Sequence, residues 1–202
     1  VVIATKFGHI INEATRVVGD GDDVIIANVR KDCENSLRRL NTDTIDLYQL
    51  HAGGYDPVQA VELRGVLEEL VSAGKIRAYG WSTDLPDRAL IFAQGEHCTA
   101  IQHNLNLMMD QPESLEVCEK HNLASVNKNP LLRGILTGKF NASSSLPAND
   151  VRHEWDFTQG RGAVRLQMVE AVREILTEGG RTLAQGALAW NWARSPITIP
   201  IP

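Results

Sequence analysis

The feature that most constrains this chain is a grammar repeated along its whole length. A short run of apolar, often β-branched residues leads into a polar turn, then an amphipathic helix, then the next run. The runs are Val1–Lys6, Ile45–His51, Ile76–Ser82, Ala100–Asn104, Leu123–Asn127 and Ile197–Ile199. Between them the spacing predicts helices at Val24–Leu40, Pro57–Ala73, Leu85–Gln94, Pro112–Lys120, Ala163–Thr177 and Leu183–Arg194. Apolar residues in these segments recur at i, i+3 and i+4, as at Leu63, Val66, Leu67 and Leu70, with charges on the other face. Near-continuous apolar strands suit parallel strands covered on both sides. Strands alternating with helices therefore predict an α/β chain with a parallel sheet. One stretch breaks the rhythm: Phe140–Gly162 is rich in Asn, Ser, Pro and Asp. It is too long for a routine connector and is expected to be a functional loop or a disordered one.

Two architectures meet this pattern. An open sheet built to bind a dinucleotide predicts Gly-x-Gly-x-x-Gly after an early strand, and no such spacing occurs. A (β/α)8 TIM barrel predicts chemically useful polar residues at the C-terminal ends of its strands. Lys6, His51, Ser82, Thr83, Gln102 and Asn104 stand at or just past such ends. A barrel takes about 250 residues over eight units, roughly 31 each, so this length holds about six units. The expectation is an incomplete TIM barrel forming a single partial domain over residues 1–202. The chain opens and closes inside apolar runs, so it is expected to be a piece of a longer chain.

Composition excludes other classes. With 20 Lys and Arg against 25 Asp and Glu, the formal net charge is −5. No basic stripe is present for nucleic acid or acidic membranes. No apolar run approaches the roughly 20 residues of a membrane-spanning helix. Cys33, Cys98 and Cys118 are widely spaced, without a Cys-x-x-Cys pair, and read as reduced thiols of a cytoplasmic protein. His97, His103, His121 and His153 show no ligand spacing, and no metal is assigned.

Several segments carry a resemblance. Ile3-Ala4-Thr5-Lys6-Phe7-Gly8 looks like the third strand of the aldo-keto reductases, which ends in their active-site lysine. Ser36 through His51, with Asp46-Leu47-Tyr48-Gln49-Leu50-His51 at its end, resembles the family's signature around the active-site histidine. Gly74-Lys75-Ile76-Arg77-Ala78-Tyr79-Gly80-Trp81-Ser82-Thr83 is similar to the fifth strand, which usually closes on Ser-Asn. Ile101-Gln102 with Asn104-Leu105-Asn106-Leu107 resembles the sixth. Pro130-Leu131-Leu132-Arg133-Gly134-Ile135-Leu136-Thr137-Gly138-Lys139-Phe140 resembles the loop over the cofactor pyrophosphate. The resemblance runs from first residue to last. It implies that the first two βα units and the C-terminal segment, which reads the adenosine end, lie outside this chain. The family's catalytic aspartate and tyrosine belong to that missing first part.

The resemblance implies an NADPH-dependent reductase of aldehydes or ketones, with NADH as the alternative nucleotide. The carbonyl oxygen gains negative charge in the transition state and needs a proton and donors aimed at it. Lys6 is expected to lower the pKa of the family's tyrosine, because a nearby ammonium favours phenolate. His51 is expected to point a ring nitrogen at the carbonyl oxygen. Ser82, Thr83 and Gln102 are the candidate ligands of the nicotinamide carboxamide. Lys128, Pro130, Leu131, Gly134 and Lys139 are the candidates around the nicotinamide and pyrophosphate. Lys128 and Asn129 stand where many family members carry an aromatic platform. Thr83 replaces the usual Asn and also suits a helix cap. Trp190 and Trp192 read as helix-packing residues, and Trp155, in the long loop, as a candidate for a substrate pocket. The other reading of the chain is a non-catalytic nucleotide-binding or regulatory barrel of the same family.

Overall fold

The computed structural model describes residues 1–12, 14, 15, 17–19 and 24–202. Its strands are β1 (Ala4–Phe7), β2 (Ile10–Asn12), β3 (Val17–Gly19), β4 (Ile45–Leu50), β5 (Ile76–Ser82), β6 (Cys98–Asn104), β7 (Ala124–Lys128) and β8 (Thr198–Ile201). Its helices are α1 (Ile25–Leu40), α2 (Pro57–Ser72), α3 (Pro86–Ala93), α4 (Pro112–Lys120), α5 (Gly160–Thr177) and α6 (Leu183–Arg194). One six-stranded sheet runs in the order β1-β4-β5-β6-β7-β8, the chain order of the βα repeat. The pairs β1·β4, β4·β5 and β5·β6 are parallel. The fold is α/β, with six consecutive strands and their helices arranged as in six units of a (β/α)8 barrel.

Two expectations need correction. Residues Val1 and Val2 are exposed, and the first strand begins only at Ala4. A strand needs a partner, and β4 offers none further back: Ile45 bonds Lys75 O, while the Asp46 and Leu47 N–H groups reach Ile3 O. The antiparallel hairpin β2–β3 has no counterpart among the apolar runs, because strands of three residues are too short for alternation to show. A smaller correction concerns Trp192, which is 58% exposed on α6 and does not pack a helix face.

The backbone divides into two compact units, residues 1–103 with 111–126, and residues 104–110 with 127–202. In the first unit, α1, α2 and α3 cover one face of the sheet. Tyr48, Leu50, Tyr79 and Trp81 are fully buried there, with Phe92 of α3 packed at 4.7 Å from Trp81 and 5.7 Å from Tyr79, centroid to centroid. Phe7 stacks on Tyr48 at 4.4 Å. Asp56 caps α2 through Val58 N and Gln59 N, with Pro57 preset in the first turn. In the second unit the core gathers Leu132, Ile135, Leu136, Phe157, Val169, Leu176, Leu183 and Ala187. Thr182 and Gln185 form a reciprocal capping box at the start of α6.

The long stretch after Lys139 is ordered by its own polar residues. Asn141 accepts from Ser143, and Asp156 from Thr158, each closing a local turn. Phe140 stacks on the buried Phe157 at 5.0 Å, and Trp155 meets Phe157 edge-on at 6.2 Å. Arg152 bonds both Asp150 oxygens and Arg133 O. Hydrogen bonds from Arg152 hold the Asp150 carboxyl well below the usual carboxylate range.

Gly80 sits where the backbones of two neighbouring strands come close. A methyl at that position would come within 2.3 Å of Ala100 O on the neighbouring strand, where the β5·β6 register shifts. Gly80→Ala is expected to destabilise the protein by about 1–3 kcal/mol, read as a lower thermal midpoint. The three thiols are buried and free. Burial pushes Cys33 up to about 11 and Cys98 and Cys118 up to about 12. Ellman's reagent at mildly alkaline pH should therefore react with them only as fast as the protein unfolds. Rapid labelling of the native protein would contradict this.

Candidate functional site

Strand register decides which side chains meet. Successive side chains alternate between the two faces of a strand. Phe7, Tyr48, Leu50, Tyr79 and Trp81 take the helix-covered face, so Lys6, Gln49, Gly80 and Ser82 take the other. Lys6 pairs with Gln49, and Gln49 with Gly80. One step further along, Ser82 pairs with Gln102. Polar residues of four adjacent strands thus share one face at the C-terminal end of the sheet, in the rim position a barrel uses for chemistry.

His51 follows directly after β4. Its N–H donates to Phe7 O at 2.8 Å, which ties it beside the end of β1. The backbone just beyond is held from β5: Trp81 Nε1 donates to Ala52 O at 2.9 Å, and Thr83 Oγ1 to Gly53 O at 2.6 Å. The His51 ring is exposed and lies edge-on to the exposed His9 ring at 4.5 Å. Thr83 is fully buried and also accepts from Leu85 N at 3.2 Å ahead of α3. Its hydroxyl is committed to fixing the two loops, which accounts for a Thr here.

Three other side chains on this face carry a buried polar atom without a partner. Ser82 Oγ, Gln102 Oε1 and Gln49 Oε1 make no hydrogen bond, although their residues are only 2%, 3% and 4% exposed. Leaving such an atom unsatisfied costs about 1–3 kcal/mol. Two orphan acceptors and one hydroxyl match a primary carboxamide, whose N–H groups donate to the glutamine oxygens and whose oxygen accepts from the serine. Gln49 was absent from the sequence candidates. Its signal was present nonetheless: one amide between Tyr48 and Leu50 in an otherwise apolar run.

The candidates of the second unit lie on the turn after β7. Lys128, Pro130, Leu131 and Gly134 line one cavity of about 390 Å³, together with Asn129 and Arg133. The turn is sharply wound. Asn129, Leu132 and Arg133 have φ of 55°, 47° and 50°, and Gly134 has 96°. Left-handed backbone at non-glycine residues costs on the order of 1–2 kcal/mol each. The winding is stabilised by Leu132 N to Asn129 O and Gly134 N to Leu131 O, both 2.9 Å. A Cβ on Gly134 would press on Phe140, Arg152 and Lys139 at 3.2–3.4 Å. Lys139 does not line this cavity; its ammonium sits over the Phe140 ring, 5.0 Å from the centroid. Among the described residues, no group of three His, Cys, Asp or Glu side chains is placed to hold a metal ion.

The chain matches the model of the Aldo/keto reductase family over residues 1–202. It belongs to the aldo/keto reductase family. It is 30% identical to the aldo-keto reductase yakc of Schizosaccharomyces pombe, covering 100% of this chain and 60% of that one. The glycerol dehydrogenase AKR11B4 of Gluconobacter oxydans is similar in structure, with a TM-score of 0.82 and 32% identity over 99% of this chain and 63% of that one. An aldo-keto reductase of Klebsiella pneumoniae, solved in complex with NADPH, gives a TM-score of 0.61 at 30% identity, covering 87% of this chain and 54% of that one. The chain thus spans about three fifths of the length of these aldo/keto reductases.

If the buried polar atoms are kept for a ligand, removing them should not harm the ligand-free protein. Ser82→Ala is expected to leave the thermal stability unchanged or to raise it by up to about 1 kcal/mol. A loss of stability on calorimetry would show that the hydroxyl has a structural role.

Proposed function

We propose that this chain carries the carboxamide and pyrophosphate sites of an NADP(H)-dependent oxidoreductase that interconverts aldehydes or ketones and alcohols. The observation that carries the reading is the trio of buried, unpartnered polar atoms on Gln49, Ser82 and Gln102, on the sheet face shared with Lys6. The NADP(+) in the name of yakc and the NADPH bound to the Klebsiella enzyme support it. Ser82 and Gln102, with Gln49, would hold the carboxamide. The turn from Lys128 to Gly134, with Lys139 beside it, would receive the remainder of the nucleotide. When bound, the reduced nicotinamide supplies the hydride that forms the new C–H bond at the carbonyl carbon.

The residues of this chain act on the oxygen. His51 donates a hydrogen bond to the carbonyl oxygen and sets its orientation. Lys6 places a positive charge near the proton donor, which makes a phenol more acidic. The donor itself is not in this chain. Burial pushes the Tyr48 and Tyr79 phenols well above their ordinary value, and Tyr55 is fully buried with its hydroxyl on Gln59. The resemblance assigns the tyrosine, with an aspartate partnering Lys6, to a part of the family preceding this chain's first strand. We read residues 1–202 accordingly as one partial barrel domain of a longer enzyme. Three free, buried thiols suit a reducing compartment, taken here as the cytoplasm.

Binding and turnover separate the two family readings. NADPH titrated into the protein should bind, and Gln102→Leu should weaken it about tenfold, the loss of one buried hydrogen bond. The 202-residue chain alone should reduce 4-nitrobenzaldehyde with NADPH no faster than buffer. In a longer protein containing this chain, Lys6→Met should lower kcat by about a hundredfold or more, within the range of a proton-transfer contribution, while NADPH binding changes little. Turnover that survives Lys6→Met would overturn the role of Lys6, whereas a longer protein that binds NADPH and shows no turnover would favour the binding or regulatory barrel.

A further inference from the structure

The second unit holds a larger cavity than the one on the β7 turn, about 810 Å³, whose lining includes Trp155, Arg133, Arg161 and Arg165. A cavity of about 570 Å³ adjoins it and shares Met109, Leu132, Gly160, Arg161 and Arg165. The chain has three methionines, and Met108, Met109 and Met168 all line this adjoining cavity, beside Val164. The two cavities therefore form one trough in which Arg161 and Arg165 are common to both, with Trp155 in the larger part and Met108 and Met168 in the smaller. Its size is that of a pocket for a small organic molecule.

The guanidiniums are uncommitted. Elsewhere in this unit Arg152, Arg173 and Arg194 pair with Asp150, Glu170 and Asp110. None of Arg133, Arg161 and Arg165 has a carboxylate partner among the described residues; Arg165 instead lies over the Trp155 ring at 5.4 Å. Stacking on an aromatic face leaves the in-plane N–H donors of a guanidinium free for a carboxylate. The trough has two carboxylates of its own. Asp156 accepts from Thr158 N and Thr158 Oγ1 in its own turn, and Glu154 is 87% exposed beside His153. Neither forms an ion pair with the arginines. Methionines add a deformable apolar wall that fits bodies of varied shape.

We propose that this trough is a binding site for an organic carboxylate with an apolar body. The carboxylate sits on Arg161 and Arg165, and the body lies along Trp155 and the three methionines. The observations behind it are separate from those behind the reductase reading, so the test omits the nicotinamide nucleotide. Calorimetric titration with 4-phenylbutanoate and its neutral counterpart 4-phenylbutanamide reads the site directly. The carboxylate should bind about tenfold tighter or more, as a charge-assisted bidentate contact requires. The double variant Arg161→Gln/Arg165→Gln should reduce its affinity to that of the amide. Met168→Gln should weaken both probes, and acetate should bind far more weakly than 4-phenylbutanoate. Equal affinity for acid and amide, acetate binding as well as 4-phenylbutanoate, or indifference to the double variant in a protein of unchanged circular dichroism would overturn the proposal.

Discussion

The register of the parallel strands is the constraint on which the first unit depends. Pairing Lys6 with Gln49, Gln49 with Gly80, and Ser82 with Gln102 assigns every side chain near the strand ends to a face. A slip of one residue would exchange the faces, driving Lys6 into the helix layer and Trp81 into the opposite one. Such a slip is opposed by the aromatic packing of Phe7, Tyr48, Tyr79, Trp81 and Phe92, which fits only one alternation. The hydrophobic layer thereby holds the polar layer in place without touching it.

The second unit uses a different device. Its turn after β7 carries three non-glycine residues in left-handed backbone, a conformation that must be over-determined by its surroundings. That support comes from the loop that follows. Arg152 fastens to Arg133 O and to Asp150, while Phe140 stacks on Phe157 and so ties the loop to the core. In this stretch without helix or strand, local hydrogen bonds and one aromatic stack take the place of a ladder.

Both units hold polar groups that folding leaves unsatisfied. In the first, those at Gln49, Ser82 and Gln102 are neutral and buried on one sheet face, and they suit an amide. In the second, Arg161 and Arg165 line the trough without a carboxylate partner among the described residues, and they suit a carboxylate. Native proteins rarely keep buried polar atoms such as those of Gln49, Ser82 and Gln102 unpaired without a use. The chemistry of each vacant group names the complementary chemistry of its ligand.

The sequence by itself determined the repeating strands and helices and their order, the hairpin β2–β3 excepted. Helices Pro112–Lys120 and Leu183–Arg194 and strand Ile76–Ser82 follow directly from periodicity and caps, because those signals act within a few residues. It also showed Lys6, His51, Ser82 and Gln102 as polar residues closing apolar runs. Only the tertiary structure decided what lies across the sheet or across a loop. The pairing of Lys6 with Gln49, the commitment of Thr83 to Gly53 O, the ordering of the long loop by Phe157 and the meeting of three methionines with Arg161 and Arg165 join residues far apart in the chain. No local pattern encodes those distances. They arise when the whole core packs and register converts sequence order into neighbourhood.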